Sequence, residues 1–311
     1  PGSTLHPSGV PYAPTPNTNT CHDLTAFPEI GLAAGACQGN GVLLDISDPV
    51  KPVRVAAVSD PNFSYWHSAT FNNDGTKVIF TDEWGGGTAA RCRVTDMPEW
   101  GADAIFDIVD GAMEFRSYFK LPVPQTTREN CVAHNGSIVP VPGRDIFVQA
   151  WYQGGLSLVD FTDSANPREI GFFDRGPIDT PNVPTPTASG LNLGGLWSTY
   201  WYNGAIYGTE IAPGFDTFGL VANDGLTQNE IDAAAEVLLG EFNAQLQSTL
   251  TPAPSFAVVG AYYDQAIRAG TLAGRDAERV AREIDRAKEK VDDGNLNSAA
   301  SKLRNAAERA E

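Results

Sequence analysis

Leu44-Asp45-Ile46-Ser47-Asp48-Pro49, followed by Pro52-Val53, is the stretch on which the reading of this chain turns. It is an apolar run that closes on an Asp and a Pro. Val159-Asp160-Phe161-Thr162-Asp163, followed by Pro167-Arg168, repeats it. Such a run reads as a strand and its turn: alternation buries one face, the Asp side chain accepts hydrogen bonds from the turn backbone, and Pro cannot continue a central ladder. A strand and turn written twice imply a modular sheet protein, in which each module buries its apolar face against the next. Function is then expected where equivalent positions of several modules converge.

Cys92-Arg93-Val94-Thr95-Asp96 reads as a degenerate third copy, with Asp96 in the place of Asp48 and Asp163. The three aspartates are expected to be turn residues. A histidine stands upstream of each at nearly constant spacing: His22, His67 and His134, out of only four in the chain. Their contexts match, since Cys21-His22-Asp23-Leu24-Thr25, Trp66-His67-Ser68-Ala69-Thr70 and Ala133-His134-Asn135-Gly136-Ser137 each open a short polar-apolar strand. A fourth module opens with Trp197-Ser198-Thr199-Tyr200-Trp201 and has no His. Modules of three or four short strands are propeller blades, whose first strands line a central channel. The pattern therefore predicts an all-β propeller of at least four modules over 21–221, with the three histidines pointing into the channel. An α-helical C-terminal region follows it.

Composition bounds the function classes. The chain has 311 residues, 42% of them hydrophobic, enough for a large domain and a smaller one. No apolar run is long enough to span a membrane, and no charged segment followed by an apolar one opens the chain. Residues 1–20, rich in Pro, Ser, Thr and Asn, read as an extended arm, and His6 within it as irrelevant. Pro at position 1 reads as the start of a processed or partial chain. The net charge of −17 lies upstream of Arg275, because the remainder to Glu311 is balanced. An acidic body repels phosphate backbones, which argues against nucleic acid and anionic lipid and favours cations. Four cysteines allow three pairings, and Cys21–Cys37 with Cys92–Cys131 joins elements adjacent in a modular sheet. Disulfides would place the protein outside the cytoplasm.

The Leu-Leu-Asp-Ile-Ser-Asp-Pro strand with its trailing Pro, and the stretches from Cys21 to Asp60, Tyr65 to Cys92 and Cys131 to Gly176, resemble the bacterial LVIVD-repeat surface proteins. The resemblance covers about two thirds of the chain. It implies a secreted or cell-surface β-propeller and assigns no biochemical activity. It also implies more blades than four, so either four blades close on themselves or upstream blades lie on a separate segment.

After the repeats the period changes. Thr227-Gln228-Asn229-Glu230 is a capping box, and Ile231, Ala234, Ala235, Leu238, Phe242 and Leu246 follow at helical spacing. This predicts a helical connector over 222–254, ended by Pro252 and Pro254. A C-terminal helical module over 255–311 carries Phe256, Val259, Tyr263 and Ile267, then the stripe Val280, Ile284, Ala287 and Val291, and after Gly294-Asn295 a last helix with Leu303 and Ala306. The module is similar to those at the C-termini of bacterial matrix-interacting, adhesin-like proteins. A helical hairpin that merely packs beneath the propeller is the plainer use.

Three imidazoles from facing strands suit a divalent transition metal, Zn, Mn, Fe or Cu, and leave a coordination position open. Aligning the second strands by their turn glycines places Glu83 level with Glu210, and Trp151 and Cys37 at the same level in the other modules, so Glu83 and Glu210 are candidate carboxylate ligands. The plainer reading is a hydrogen-bonding device copied by the repeat, His to backbone or to Asp23 and Asn135. The aromatics Trp197, Tyr200, Trp201, Tyr202, Tyr207, Trp151 and Tyr152 suit packing between blades, or a sugar-stacking or partner-binding patch. No nucleophile elbow, phosphate loop or dinucleotide fingerprint occurs. The leading expectation is a secreted or surface protein with a non-enzymatic binding, adhesion or assembly role. Its partner would be a protein or extracellular matrix, a missing N-terminal propeller segment, or identical chains. A metal-dependent hydrolase or oxidase with a His-rich channel site is the alternative.

Overall fold

A computed structural model describes residues 20–178, 191–212 and 214–310. The expected arm falls outside these up to residue 19, as does most of the loop before Gly194. The chain divides into two units: one runs to Pro140 and includes Arg144–Leu220 and Val237–Thr251, the other is Val141–Gly143, Val221–Glu236 and the chain from Pro252.

The first unit is a ring of four antiparallel sheets, a four-bladed propeller as expected. Blade one is β1 (Asp23–Phe27), β2 (Leu32–Ala36), β3 (Gly41–Asp45) and β4 (Val53–Val58). Blade two is β5 (Trp66–Phe71), β6 (Lys77–Asp82), β7 (Asp103–Val109) and β8 (Ala112–Phe119); blade three is β9 (Gly136–Val139), β10 (Ile146–Ala150), β11 (Leu156–Asp160) and β12 (Arg168–Phe173). Blade four has three strands, β13 (Leu196–Tyr202), β14 (Ala205–Glu210) and β15 (Gly214–Phe218). The first strands contact one another from blade to blade, β1 with β5, β5 with β9 and β9 with β13. Between blades one and two the core is Phe27, Phe63, Trp66, Phe71, Phe80 and Phe106; between two and three, Ile79, Ile105, Phe147, Trp151, Val159 and Phe161.

The repeated stretch does what its residues require. Asp45 accepts from Ser47 N (2.8 Å) and Asp48 from Val50 N (3.1 Å); Asp160 accepts from Thr162 N (3.1 Å) and Asp163 from Ala165 N (3.0 Å). The third copy needs correcting. Cys92–Asp96 is a loop, with Val94 exposed and Arg93 paired to Asp96, and blade two takes its third strand from β7. The pairing of third and fourth strands slips at Leu43/Leu44, Leu158/Val159 and Ile105/Phe106. Each slip lies just before an Asp, so the true counterpart of Leu44-Asp45 is Phe106-Asp107. An insertion between β6 and β7 displaced it.

Both disulfides form as expected. Cys21–Cys37 staples the entry of β1 to the exit of β2, and Cys92–Cys131 ties the blade-two insertion to the entry of blade three.

Among the described residues no blade mixes early and late strands; a C-terminal strap joins blades instead. At Leu239 its N–H donates to Asn203 Oδ1 (2.7 Å) in blade four and its carbonyl accepts from the Tyr202 hydroxyl (3.0 Å). It then adds beside β1, Ala26 N to Gln245 O (2.9 Å) and Gln247 N to Ala26 O (2.8 Å). The Gln247 amide satisfies both Phe71 N (2.8 Å) and Phe71 O (3.0 Å), and Leu250 N donates to Asn73 Oδ1 (2.7 Å) in blade two. This corrects the expected helix through Leu246. The spacing of Leu238, Phe242 and Leu246 is helical, yet the helix ends at Ala235 because propeller groups satisfy the backbone beyond it.

The second unit is helical: α1 (Gln228–Ala235), α2 (Phe256–Ala269), α3 (Gly274–Asp292) and α4 (Leu296–Ala310). Thr227 and Glu230 form the expected capping box, and Ser255 caps α2. Leu272, Ala277, Val280, Ile284 and Ala306 make its core. Buried Glu230 also accepts from both terminal guanidinium nitrogens of Arg268, at 3.0 and 2.5 Å.

Candidate metal centre at the channel mouth

The three histidines occupy one level, at the N-terminal ends of neighbouring inner strands. Their rings form a fan: His22 to His67 and His67 to His134 are each 4.1 Å between centroids, tilted by 34° and 38°. His67 and His134 are buried (1% and 0%), whereas the His22 side chain is 40% exposed. The inner strand of blade four runs parallel to this level, Asn135 bridging Ser198, so Trp197 takes its histidine position. Trp197 is 48% exposed, its ring 5.0 Å from that of His134.

Glu83, the residue after β6, completes the group. Its Oε2 lies 3.6 Å from His67 Nε2 and its Oε1 3.5 Å from His134 Nε2. These gaps are too long for hydrogen bonds. A tetrahedral ion about 2.1 Å from each donor would hold donors about 3.4 Å apart. The His134 imidazole is oriented accordingly. His134 Nδ1 meets the Trp197 carbonyl, which directs the Nε2 lone pair at Glu83; Nε2 itself, like His67 Nδ1, is buried with no partner among the described residues. Burial pushes His67 well below the usual imidazole range, reinforced by neighbouring His134 and His22, so it is held neutral as a ligand must be. The donor set therefore fits a divalent transition ion.

A second trio, His22, Asp23 and His67, shares His67 with the first. Asp23 Oδ1 lies 3.7 Å from His22 Nδ1 and accepts from Gln245 Nε2 of the strap (2.9 Å). Burial raises its carboxyl against the pull of His22 and His134.

Of the expected ligands, the structure brings together His22, His67, His134 and Glu83, and leaves out Glu210. Register explains the difference. Glu83 N donates to Tyr65 O as Ile211 N donates to Gly195 O, so Ile211, not Glu210, is the counterpart of Glu83. Glu210 pairs with Leu196 as Asp82 pairs with Trp66, and a one-residue slip turns a strand side chain to the other face. There it meets Arg175, 3.5 Å away. Sequence reasoning did not place Asp23 among the candidate ligands, nor Tyr152 at the site, where its hydroxyl donates to Glu83 Oε1. The adjacency of Asp23 to His22 was a signal; Tyr152 gave none.

No family model and no curated protein matches the chain. Among solved structures it is similar to a putative 6-phosphogluconolactonase from Bacteroides uniformis (11% identity, TM-score 0.38, 66% of this chain and 55% of that one). It is also similar to Kuenenia stuttgartiensis hydrazine synthase (12% identity, TM-score 0.36, 60% and 48%). The chain thus spans about half the length of these structures, and at such scores neither informs its chemistry.

Proposed function

We propose that this is a secreted or cell-surface propeller with a binding or assembly role, whose channel mouth holds one divalent transition ion through His67, Glu83 and His134, with His22 and Asp23 beside it. One observation carries the metal: His67 Nε2 and His134 Nε2 both stand at ligand-to-ligand spacing from the Glu83 carboxylate, and the buried His134 Nε2 has no partner among the described residues. The two disulfides and the LVIVD-like repeats support the location, and the adhesin-like helical module supports the role. The ion fixes three side chains from two blades and neutralises Glu83.

A metal-dependent hydrolase or oxidase is the second reading, favoured by the solvent-facing edge at His22. Two imidazoles and a carboxylate leave positions for an exchangeable ligand, and a bound ion there would acidify a coordinated water. In either reading His134 is set by the Trp197 carbonyl and Glu83 by Tyr152.

Metal analysis of native protein and of a His67→Ala/His134→Ala variant tests the common element. One ion per chain in the former and none in the latter is expected; equal content in both refutes it. Ester and peroxide substrates supplied to the loaded protein separate the readings, turnover lost in the variant favouring the enzyme.

A further inference from the structure

We propose that Tyr152 is a positioning residue of this centre: its phenol orients the Glu83 carboxylate toward the ion and is not itself a ligand. The inference rests on the metal reading above. Three independent features hold the phenol where it is. First, Tyr152 has φ +54°, a left-handed conformation that a non-glycine residue keeps only where its surroundings over-determine it. They do so through a two-way bridge, Tyr152 N to Leu196 O (3.1 Å) and Leu196 N to Tyr152 O (3.0 Å). Second, two glycines leave room for it. A Cβ on Gly195 would lie 1.9 Å from the Tyr152 carbonyl carbon, and one on Gly87 2.2 Å from Tyr152 Cζ. Third, Tyr152 is 1% exposed, in a cluster with Trp84, Trp100 and Val132, its ring in a T-shaped contact with His134 at 4.8 Å between centroids.

The outcome of this enclosure is a single hydrogen bond, from the Tyr152 hydroxyl to Glu83 Oε1. It uses one lone pair of that oxygen and fixes the carboxylate plane. Oε2 remains facing His67 Nε2, and the other lone pair of Oε1 faces His134 Nε2. A hydrogen-bonded carboxylate ligand is the kind of outer contact whose loss weakens metal binding about 10–100-fold.

The test is zinc titration of the full chain, wild type, Tyr152→Phe, Glu83→Gln and the double variant, together with the visible spectrum of the copper(II) forms. Zinc affinity is expected to fall about 10–100-fold in Tyr152→Phe, and the two substitutions to be non-additive because one residue acts through the other. Wild-type copper protein should show no phenolate-to-copper band. Unchanged affinity in Tyr152→Phe, or additive losses in the cycle, overturns the inference and leaves the metal centre standing. A copper band lost in Tyr152→Phe overturns it too, by making the phenol a ligand. Absence of zinc binding to wild type removes the metal reading and this inference with it. Near-UV circular dichroism of the metal-free variants separates a lost fold from a lost contact.

Discussion

Glu169, on β12 of blade three, has a buried carboxylate oxygen with no partner among the described residues, and burial raises its pKa to about 7. A carboxyl raised from its unfolded value near 4.5 binds its proton more tightly when folded. Stability from this group is therefore full below about pH 4.5 and declines as pH rises through about 7. Glu169→Gln should accordingly raise the melting temperature at pH 8 and leave it nearly unchanged at pH 4. Equal melting temperatures at pH 8 would show that the ionised carboxylate is well solvated. At this scale the sequence was legible where a residue type is scarce and repeated. Four histidines, three at matching positions, located the centre. Glu210 was misplaced because aligning turns by their glycines is uncertain by one residue, and one residue reverses a strand side chain. Tyr152 was illegible because its role depends on a positive φ that no neighbouring residue announces.

At the scale of elements, short polar contacts are asked to hold the strap. Gln247 alone satisfies both backbone groups of Phe71, and Gln247→Ala leaves them without that partner. The expected loss is about 1–3 kcal/mol, read as a lower guanidinium midpoint at constant slope; an unmoved midpoint would mean the strap contributes nothing there. The second disulfide joins the blade-two insertion to blade three, and Cys92→Ser/Cys131→Ser should cost about 2–4 kcal/mol, again read by denaturant. Capping box, glycine stops and apolar stripes made the C-terminal helices readable, as Thr227, Ser255 and Gly294 illustrate. The strap was misread since Leu238, Phe242 and Leu246 keep a helical period while the propeller supplies their hydrogen bonds. β7 was overlooked because Asp107 lies beyond an insertion that carries its own Asp-bounded decoy, Cys92–Asp96.

For the whole molecule, three of the four sheets bring nitrogen and oxygen donors to the channel mouth, and an ion bound there would stabilise the folded chain. At a free ion concentration of 100 times the dissociation constant, zinc should add about 2.7 kcal/mol, and chelator should remove it. The most direct measurement is anomalous diffraction from crystals grown with zinc, recorded on both sides of the zinc edge. One peak is expected about 2.0–2.2 Å from a ring nitrogen of His67, a ring nitrogen of His134 and a carboxylate oxygen of Glu83. A saturated crystal with no peak among these residues, their ring nitrogens bonded to water or protein instead, would contradict the metal centre.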